Sequence, residues 1–297
     1  MNKLIDLHIH SNLSDGELSS KEIIDRAVDN GVSVMAIADH DTTLAYNGEL
    51  FNYAKDKKVR LITAVEISTK YNGIGIHVLG YNFNINNDQL KEKLYTLRNA
   101  RHIYLHKVAS KLNELGYIIN VEFLDKIDAV TKAHIALNIV ENKDNSNLLL
   151  KTFGHIPSKG EFIETIMNEG CPCYVKKETV SPKEASDLIR EAGGKAVLAH
   201  PVCYKYEDGL TDDDILELIK EMNPDGIEAN YIYIDRDGNK INECILWNNF
   251  AKHHNLITTI GSDFHKYDYI HPDIGLINEE IILNDNEINS IIDNLLD

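Results

Sequence analysis

The chain has 297 residues, of which 43% are hydrophobic, and a formal net charge of −17. That length and composition allow a large α/β domain with a sizeable core and argue against wholesale disorder. The acidic balance argues against binding to long duplex nucleic acid, which needs Lys and Arg to neutralise phosphates. A small phosphorylated substrate remains compatible with it, because bound divalent cations reverse the local field.

The N-terminus and the cysteines favour a cytoplasmic protein. The first residues lack the basic, apolar and small-residue segments of a signal peptide, and no apolar run reaches transmembrane length, so we expect no membrane contact. Four cysteines are too few for a dense disulfide framework in a chain of this size. Cys171 and Cys173 lack the two-residue spacer of zinc and redox pairs, so we expect packed or exposed thiols.

Short apolar runs predict the strands of a parallel sheet. In chain order they lie at 4–9, 34–38, 59–65, 76–80, 196–199, 226–229 and 256–260. Most are continuously apolar, as expected of strands that are covered on both faces. Ser19 with Glu22, and Ser181 with Glu184, are typical of helix starts between such strands. The alternation of strands and helices predicts an α/β fold, open or closed into a barrel.

The middle of the chain, from about 84 to 170, has a different pattern. Apolar residues from Leu90 to Leu115 keep helical spacing, and Gly116 would end that helix. This mainly helical stretch interrupts the alternation of strands and helices. We therefore predict a discontinuous catalytic domain formed by 1–84 and 171–297, with a helical insertion at 85–170.

Metal-seeking side chains recur at the ends of the predicted strands. His8 and His10 lie two residues apart on the first strand, so they project from one face near its C-terminal end, where α/β folds place their sites. Asp15 alone, between Ser14 and Gly16, is more typical of a turn or a helix cap. The complete candidate set is His8, His10, Asp15, His40, Glu66, His77, His200, Asp263 and His265. Polar groups beside buried strands need partners, and metal ions supply them.

The composition of this set indicates the metals and the chemistry. Nine donors exceed the needs of one tetrahedral zinc, and imidazoles with carboxylates favour Mn, Fe or Zn over Mg or Ca. Glu66 and Asp263 are the natural bridging ligands. Neighbouring ions can convert water into hydroxide and stabilise both oxygens of a phosphoryl transfer. We therefore predict two or three divalent ions per chain, with manganese favoured and zinc or iron as alternatives.

The order of these motifs resembles the polymerase and histidinol phosphatase (PHP) superfamily of metal-dependent phosphoesterases, over about 1–83 and 171–297. The resemblance implies a distorted (β/α)₇ barrel with a trinuclear site at its C-terminal face, and an insertion above that site. It implies three ligand sets: His8, His10, Glu66 and Asp263; Glu66, His77 and His200; and Asp15, His40 and His265. It also implies the catalytic residues, which are Asp15, His40, Glu66, Asp263 and His265.

Within the superfamily, the motif Ser14-Asp15-Gly16 and the insertion resemble one bacterial subgroup. Its members hydrolyse nucleotide 5′-monophosphates, 3′,5′-bisphosphonucleotides or short RNA 5′ ends, which implies a small phosphorylated substrate or a short oligoribonucleotide here. Histidinol phosphatases of the superfamily often carry His where Asp15 stands, so histidinol phosphate is the alternative substrate. An amidohydrolase-like enzyme that cleaves C–N bonds and a non-catalytic metal-stabilised module are further alternatives; the intact nine-residue set disfavours the module.

Three residues of the insertion are candidates for binding the substrate phosphate. Arg101 falls on the apolar stripe of the first insertion helix, so it either caps the core and reaches solvent or points into a cleft. Lys132 and His134 lie in a segment that resembles a phosphate-binding segment of the family, with Lys132 in place of Arg. Lysine lacks the bidentate fork of arginine, so this departure leaves the substrate open.

Four other residues receive supporting roles. Asp39 and Asp41 flank His40 and are expected to orient ligands or waters. Tyr231 and Tyr233 follow a predicted strand and are expected to pack in the core or at its rim.

Overall fold

The computed structural model describes residues 4–127, 130–176, 179–235, 237–267, 272–277 and 281–297. The chain divides into two compact units. The first, which we call the sheet unit, comprises Met1–Lys93 and Thr179–Asp297, and the second, the helical unit, comprises Leu94–Glu178.

All seven predicted strands are present and form one sheet in the order β1-β2-β3-β4-β5-β6-β9. Their bounds are β1 Leu4–Asp6, β2 Val32–Ile37, β3 Arg60–Tyr71, β4 Ile74–Tyr81, β5 Lys195–Leu198, β6 Gly226–Asn230 and β9 Ile257–Ile260. A separate hairpin consists of β7 Ile232–Ile234 and β8 Lys240–Asn242. The predicted α/β class, with a mostly parallel sheet, is confirmed.

One predicted strand runs in the other direction. The prediction that 76–80 is a parallel strand is wrong, because β4 is antiparallel to both β3 and β5. Asn72 and Gly73 join β3 to β4 with φ values of 48° and 91°. A two-residue turn of this kind reverses the chain, whereas a parallel neighbour needs a long crossover. As a result His77, in the middle of β4, lies opposite Ser68 and close to Glu66 of β3.

Helices α1 and α8 begin where the sequence predicts. Helix α1, Ser20–Asp29, starts at a capping box formed by Ser19 and Glu22, and α8, Pro182–Glu191, starts at one formed by Ser181 and Glu184. Among the described residues, the other α-helices of the sheet unit are α2 Gly48–Asp56, α9 Pro201–Tyr206, α10 Asp212–Met222, α11 Cys244–His254 and α12 Asp285–Leu296.

Two apolar clusters cover the sheet. Val34 of β2 and Leu79 of β4 pack with Ile288 of α12, and Met35 and Ile37, which alternate with Val34 along β2, pack in a second cluster with α1 and α2. Burial on both faces explains why the strands are continuously apolar in sequence. Beyond β1 and β9, a parallel bridge joins Ile9 to Phe264.

The helical unit has an apolar core of its own. Its helices are α3 Asp88–Glu114, which starts in the sheet unit, α4 Val121–Leu124, α5 Lys132–Glu141, α6 Ser146–Phe153 and α7 Lys159–Phe162. Leu105 and Leu112 of α3 pack there with Ile135 and Phe162. Gly116, at φ 92°, follows the end of α3 as predicted. Across the described ranges, no helix combines the length and apolarity needed to cross a membrane.

Candidate metal centre

Glu66 and His77 lie in β3 and β4, and loops at one edge of the sheet carry the other seven predicted ligands. Backbone hydrogen bonds fix these loops to one another: the Asp263 N–H donates to the His8 carbonyl at 2.8 Å, and the Asp41 N–H donates to the Glu66 carbonyl at 2.9 Å. His40 pairs with Glu66 in an isolated parallel bridge. The fold thus brings all nine predicted residues together within the sheet unit.

Glu66 is the centre of this cluster and is 1% exposed. Its carboxylate oxygens lie near five imidazoles: 3.0 Å from His77 Nδ1, 3.2 Å from His200 Nε2, 3.1 Å from His40 Nδ1, 3.3 Å from His10 Nε2 and 3.5 Å from His8 Nε2. One buried carboxylate therefore contacts residues from several separate segments of the chain.

Asp263 and Asp15 extend the cluster on either side of His10. Asp263 Oδ1 lies 3.2 Å from His10 Nε2, and Asp15 Oδ1 lies 3.5 Å from His10 Nδ1. Asp15 also lies 3.4 Å from His265 Nε2 and 3.7 Å from His40 Nε2. Asp15 is thus a member of the cluster and not only a turn residue.

The electrostatics of the metal-free cluster depend on opposite charges. Burial lowers the pKa of His10, but hydrogen bonds to Asp263 and Glu66 outweigh it and raise that pKa to about 10. Burial would raise the pKa of Glu66, but the charges of His77, His40 and His8 hold it well below its usual range. Burial dominates at His40 and lowers its pKa to about 3. Without ions, protons on some histidines balance the buried carboxylates.

The donor atoms fit divalent metal ions. The Nε2 atoms of His8 and His10 face each other at 3.1 Å. Among the described residues, Asp15 Oδ1, His40 Nδ1 and His200 Nδ1 are buried and make no well-oriented hydrogen bond, although His40 Nδ1 lies 3.1 Å from Glu66 Oε2. Three groups have donor atoms within 4.8 Å of one another: His10, Asp15, His40 and His265; His8, His10 and Glu66; and His40, Glu66 and His77. These imidazole and carboxylate groups suit Mn, Fe or Zn. The three groups share His10, His40 and Glu66, whereas the three ligand sets implied by the resemblance share Glu66 alone.

Asp39 and Asp41 hold the surrounding loops. The Asp39 carboxylate accepts hydrogen bonds of 2.7 Å from Ser11 N, Ser11 Oγ and Ser14 Oγ. Asp41 Oδ1 accepts one of 2.9 Å from the Ser68 N–H. These contacts fix the chain around the metal-seeking residues, and a role of either aspartate in orienting ligands or waters stays a prediction.

Glu228 and Tyr231 also contact the cluster, and the sequence analysis missed these contacts. Glu228, in the fully buried strand β6, lies 3.0 Å from His8 Nδ1. Tyr231 packs as expected, and its hydroxyl also donates to Asp263 Oδ2 at 3.2 Å. A carboxylate inside a strand of otherwise buried residues was the available signal for Glu228, since it must find a partner.

A cavity of about 390 Å³ within the sheet unit opens onto the cluster. His40, Glu66, His77, His200, Asp263 and His265 line one part of it. Tyr233, Glu207 and Asp208 also line it. As far as the structure describes this lining, it includes neither Lys nor Arg. A phosphate in this acidic cavity would need bound cations.

The three predicted substrate-binding residues lie in the helical unit. Arg101 of α3 is buried. Lys132 Nζ donates to Asn168 Oδ1 at 3.0 Å, and His134 Nδ1 accepts a 3.1 Å bond from the Thr131 N–H in the capping box of α5. The capping bond occupies one ring nitrogen of His134. Contact between these residues and a substrate stays a prediction.

Known proteins are similar to this chain in sequence and in fold. The PHP domain model matches residues 6–195. A 5′-3′ exoribonuclease of Haemophilus influenzae is 33% identical, over 89% of this chain and 91% of that protein. A 3′,5′-nucleoside bisphosphate phosphatase of Chromobacterium violaceum is 26% identical, over 88% and 87%. A solved C. violaceum structure, described as an amidohydrolase with bound sulfate and no metal, has a TM-score of 0.73 and 25% identity, over 91% and 89%. The chain belongs to the PHP domain family.

Proposed function

We propose that the chain hydrolyses phosphomonoesters of nucleotides, either 5′-nucleotides or 3′,5′-bisphosphonucleotides, or the 5′ ends of short RNA. Its family and relatives make it an enzyme of the phosphoric ester hydrolase class, and the phosphoesterases of the PHP family are metal-dependent. The observation that carries the proposal is the buried Glu66 carboxylate, which contacts five imidazoles at the edge of an acidic cavity.

The residues of the sheet unit hold and orient the reacting groups. Bound divalent ions supply Lewis acidity and an activated water for phosphoryl transfer. Glu66 and Asp263 place oxygens between histidines from different strands, which suits bridging ligands. Asp15, His40 and His265 form the neighbouring group. The Tyr231 hydroxyl, through its bond to Asp263 Oδ2, restrains that carboxylate. We propose two or three ions, with manganese favoured over zinc or iron, and a cytoplasmic location.

The relatives support a nucleotide or RNA substrate. The H. influenzae protein is named for removal of nucleotides from RNA 5′ ends, and the C. violaceum protein is named for 3′,5′-nucleoside bisphosphates. Sulfate, bound in the C. violaceum structure, has the tetrahedral shape and negative charge of phosphate. We propose that Arg101, Lys132 and His134 contact the substrate phosphate, and that 85–170 is an insertion.

Histidinol phosphate is the second candidate substrate. Glu207 and Asp208 line the same cavity as the predicted ligands, and burial followed by the charge of Glu207 raises the pKa of Asp208. Carboxylates that line the cavity beside the predicted ligands would suit a substrate with a cationic amine. The amidohydrolase description of one structural neighbour also keeps C–N hydrolysis as an alternative.

A single activity panel separates these candidates. Protein loaded with Mn²⁺ is assayed for phosphate release from AMP, adenosine 3′,5′-bisphosphate, a 5′-phosphorylated trinucleotide and histidinol phosphate, and the trinucleotide products are resolved by chromatography. We expect the nucleotide or RNA substrates to be hydrolysed fastest, and His8→Ala to be inactive. Fastest turnover of histidinol phosphate would favour the second candidate, and a metal-replete protein that hydrolyses no phosphoester would refute the proposal.

The finer architecture is also a proposal. We propose that the sheet is the distorted (β/α)₇ barrel implied by the resemblance to the PHP superfamily. Its support is the hydrogen bonding beyond the edge strands, from the Leu7 N–H to the Ile260 carbonyl at 3.0 Å and from the His10 N–H to the Phe264 carbonyl at 2.9 Å. These bonds join the first strand of the sheet to the last.

A further inference from the structure

Glu228 is a buried carboxylate that none of the predicted ligand sets includes. It lies in the middle of β6 and has no exposed surface. A buried carboxylate is costly unless hydrogen-bond donors surround it. The donors that Glu228 contacts belong to His8 and His200, two of the nine metal-seeking residues. Its position therefore links the sixth strand to the metal centre.

The contact with His8 determines which ring nitrogen can bind a metal. His8 Nδ1 lies 3.0 Å from Glu228 Oε1 and 3.2 Å from Oε2. A carboxylate in its ionised form only accepts hydrogen bonds, so this contact favours the neutral His8 tautomer with the proton on Nδ1. The lone pair then belongs to Nε2, which lies 3.4 Å from Asp263 Oδ1 and 3.5 Å from Glu66 Oε2. Glu228 thus turns the donor atom of His8 towards both predicted bridging carboxylates.

The contact with His200 restrains a strained backbone. His200 has φ 24° and ψ 61°, an unfavourable conformation for a residue with a side chain, and it immediately precedes Pro201 at the start of α9. Its N–H donates to Glu228 Oε2 at 2.9 Å. This hydrogen bond holds the conformation in which His200 Nε2 lies 3.2 Å from Glu66 Oε1.

The chain leaves room for these contacts at Gly261. A Cβ atom there would lie 2.2 Å from His8 Cβ and 2.6 Å from Glu228 Oε1. Any larger residue would therefore push Glu228 and His8 apart. Glycine at 261 is required by this close approach and not by its backbone angles.

We propose that Glu228 is a positioning residue that fixes the ring of His8 and the backbone of His200, and thereby sets the metal affinity of the centre. This inference rests on the metal centre of the proposed function. A carboxylate behind a metal-binding histidine typically changes metal affinity or activity by about 10–100-fold when it is removed. Because Glu228 contacts residues from two of the implied ligand sets, its loss would affect both.

The test measures Mn²⁺ binding directly, by calorimetric titration of metal-free protein. Glu228→Gln keeps the side-chain shape but has one acceptor oxygen for two donors, so we expect about 10–100-fold weaker Mn²⁺ binding. The matched control is Asp225→Asn. Asp225 lies one residue before β6, and its Oδ2 accepts a 2.8 Å hydrogen bond from the Ala196 N–H of β5. We expect the control to bind Mn²⁺ like the wild type.

A second variant guards against simple misfolding. Gly261→Ala retains the carboxylate but crowds both Glu228 and His8 and disturbs their contact, and we expect it also to weaken Mn²⁺ binding. Thermal unfolding of metal-free protein identifies which variants are folded. Wild-type affinity in a folded Glu228→Gln or Gly261→Ala protein, or an equal loss in Asp225→Asn, would overturn the inference while leaving the proposed function intact. Absence of Mn²⁺ binding by the wild type would instead count against the proposed function.

Discussion

The sheet unit and the helical unit bury polar groups in different ways. Among the described residues of the helical unit, the buried polar side chains are Arg101 and Asn145. Asn145 links two segments of the helical unit, since its Oδ1 accepts a hydrogen bond from the Ile118 N–H and its Nδ2 donates one to the Ile118 carbonyl. In the sheet unit the buried polar residues include ligand candidates that converge on Glu66. Apolar packing holds the core of the helical unit together, whereas the sheet unit contains buried ionisable groups whose charges must be balanced.

This difference implies that the two units respond to different perturbations. The sheet unit carries carboxylates and imidazoles whose mutual arrangement depends on protons or metal ions. The core of the helical unit consists of apolar residues such as Leu105 and Phe162. Metal ions should therefore act on the first unit, and cavity-forming substitutions in the second should leave metal binding unchanged.

The largest expected effect is that of Glu66→Gln, which would remove the charge at the centre of the cluster. Metal ions contribute several kcal/mol to phosphoryl transfer, so we expect kcat/KM to fall by about 10²–10⁴-fold. The measurement is steady-state phosphate release at saturating Mn²⁺. Glu49→Gln, an exposed glutamate paired with Lys21, is the control and should retain activity. A fully active Glu66→Gln enzyme would remove Glu66 from the centre of the proposed site.

Phe162→Ala tests the independence of the helical unit. Phe162 is fully buried and packs against Tyr117 with ring centroids 5.3 Å apart. Truncation of a buried Phe typically costs about 3–5 kcal/mol of unfolding free energy. We expect urea denaturation to show this loss, while calorimetry shows unchanged Mn²⁺ affinity. A weaker affinity would show that the helical core supports the metal centre, and that the two units do not respond independently.

The smallest effect concerns pH. The pKa of His10 is raised to about 10, despite burial, by its carboxylate partners, so the metal-free protein binds a proton there at neutral pH. A metal ion must displace that proton, so apparent Mn²⁺ affinity should rise by about tenfold per pH unit for each proton released. Calorimetry between pH 6 and 8 in buffers of different ionisation enthalpy would measure the release. Affinity independent of pH would exclude a protonated His10.

The same protonation affects the stability of the metal-free protein. The folded-state pKa of His10 lies above the usual value of 6.5, so its protonation stabilises the fold fully below pH 6.5. That contribution is lost as the pH rises from 6.5 towards about 10. Stabilisation by Mn²⁺ should therefore increase with pH, and it should appear in the unfolding of the sheet unit.

The sequence predicts much of the sheet and the gathering of the nine residues, for a physical reason. An imidazole or carboxylate at the end of an apolar strand is unusual enough to indicate a site, and parallel strands bring such ends together. The direction of β4 escaped prediction because its apolar run is the same in either orientation. The informative residues were Asn72 and Gly73, which favour a hairpin. Glu228 escaped prediction because it belongs to no short sequence motif, and its contact with His8 joins residues that are 220 positions apart in the chain.

The turn at Asn72 and Gly73 also has a consequence for folding. It places His77 Nδ1 3.0 Å from Glu66 Oε1, and these two residues are only 11 positions apart in the chain. Closing so short a loop costs little chain entropy, and hairpins form in about 1–10 μs. The Glu66–His77 pair can therefore assemble from a local segment, whereas His8 meets Glu228 only after most of the chain is available. The metal centre combines an early local contact with contacts of high sequence separation.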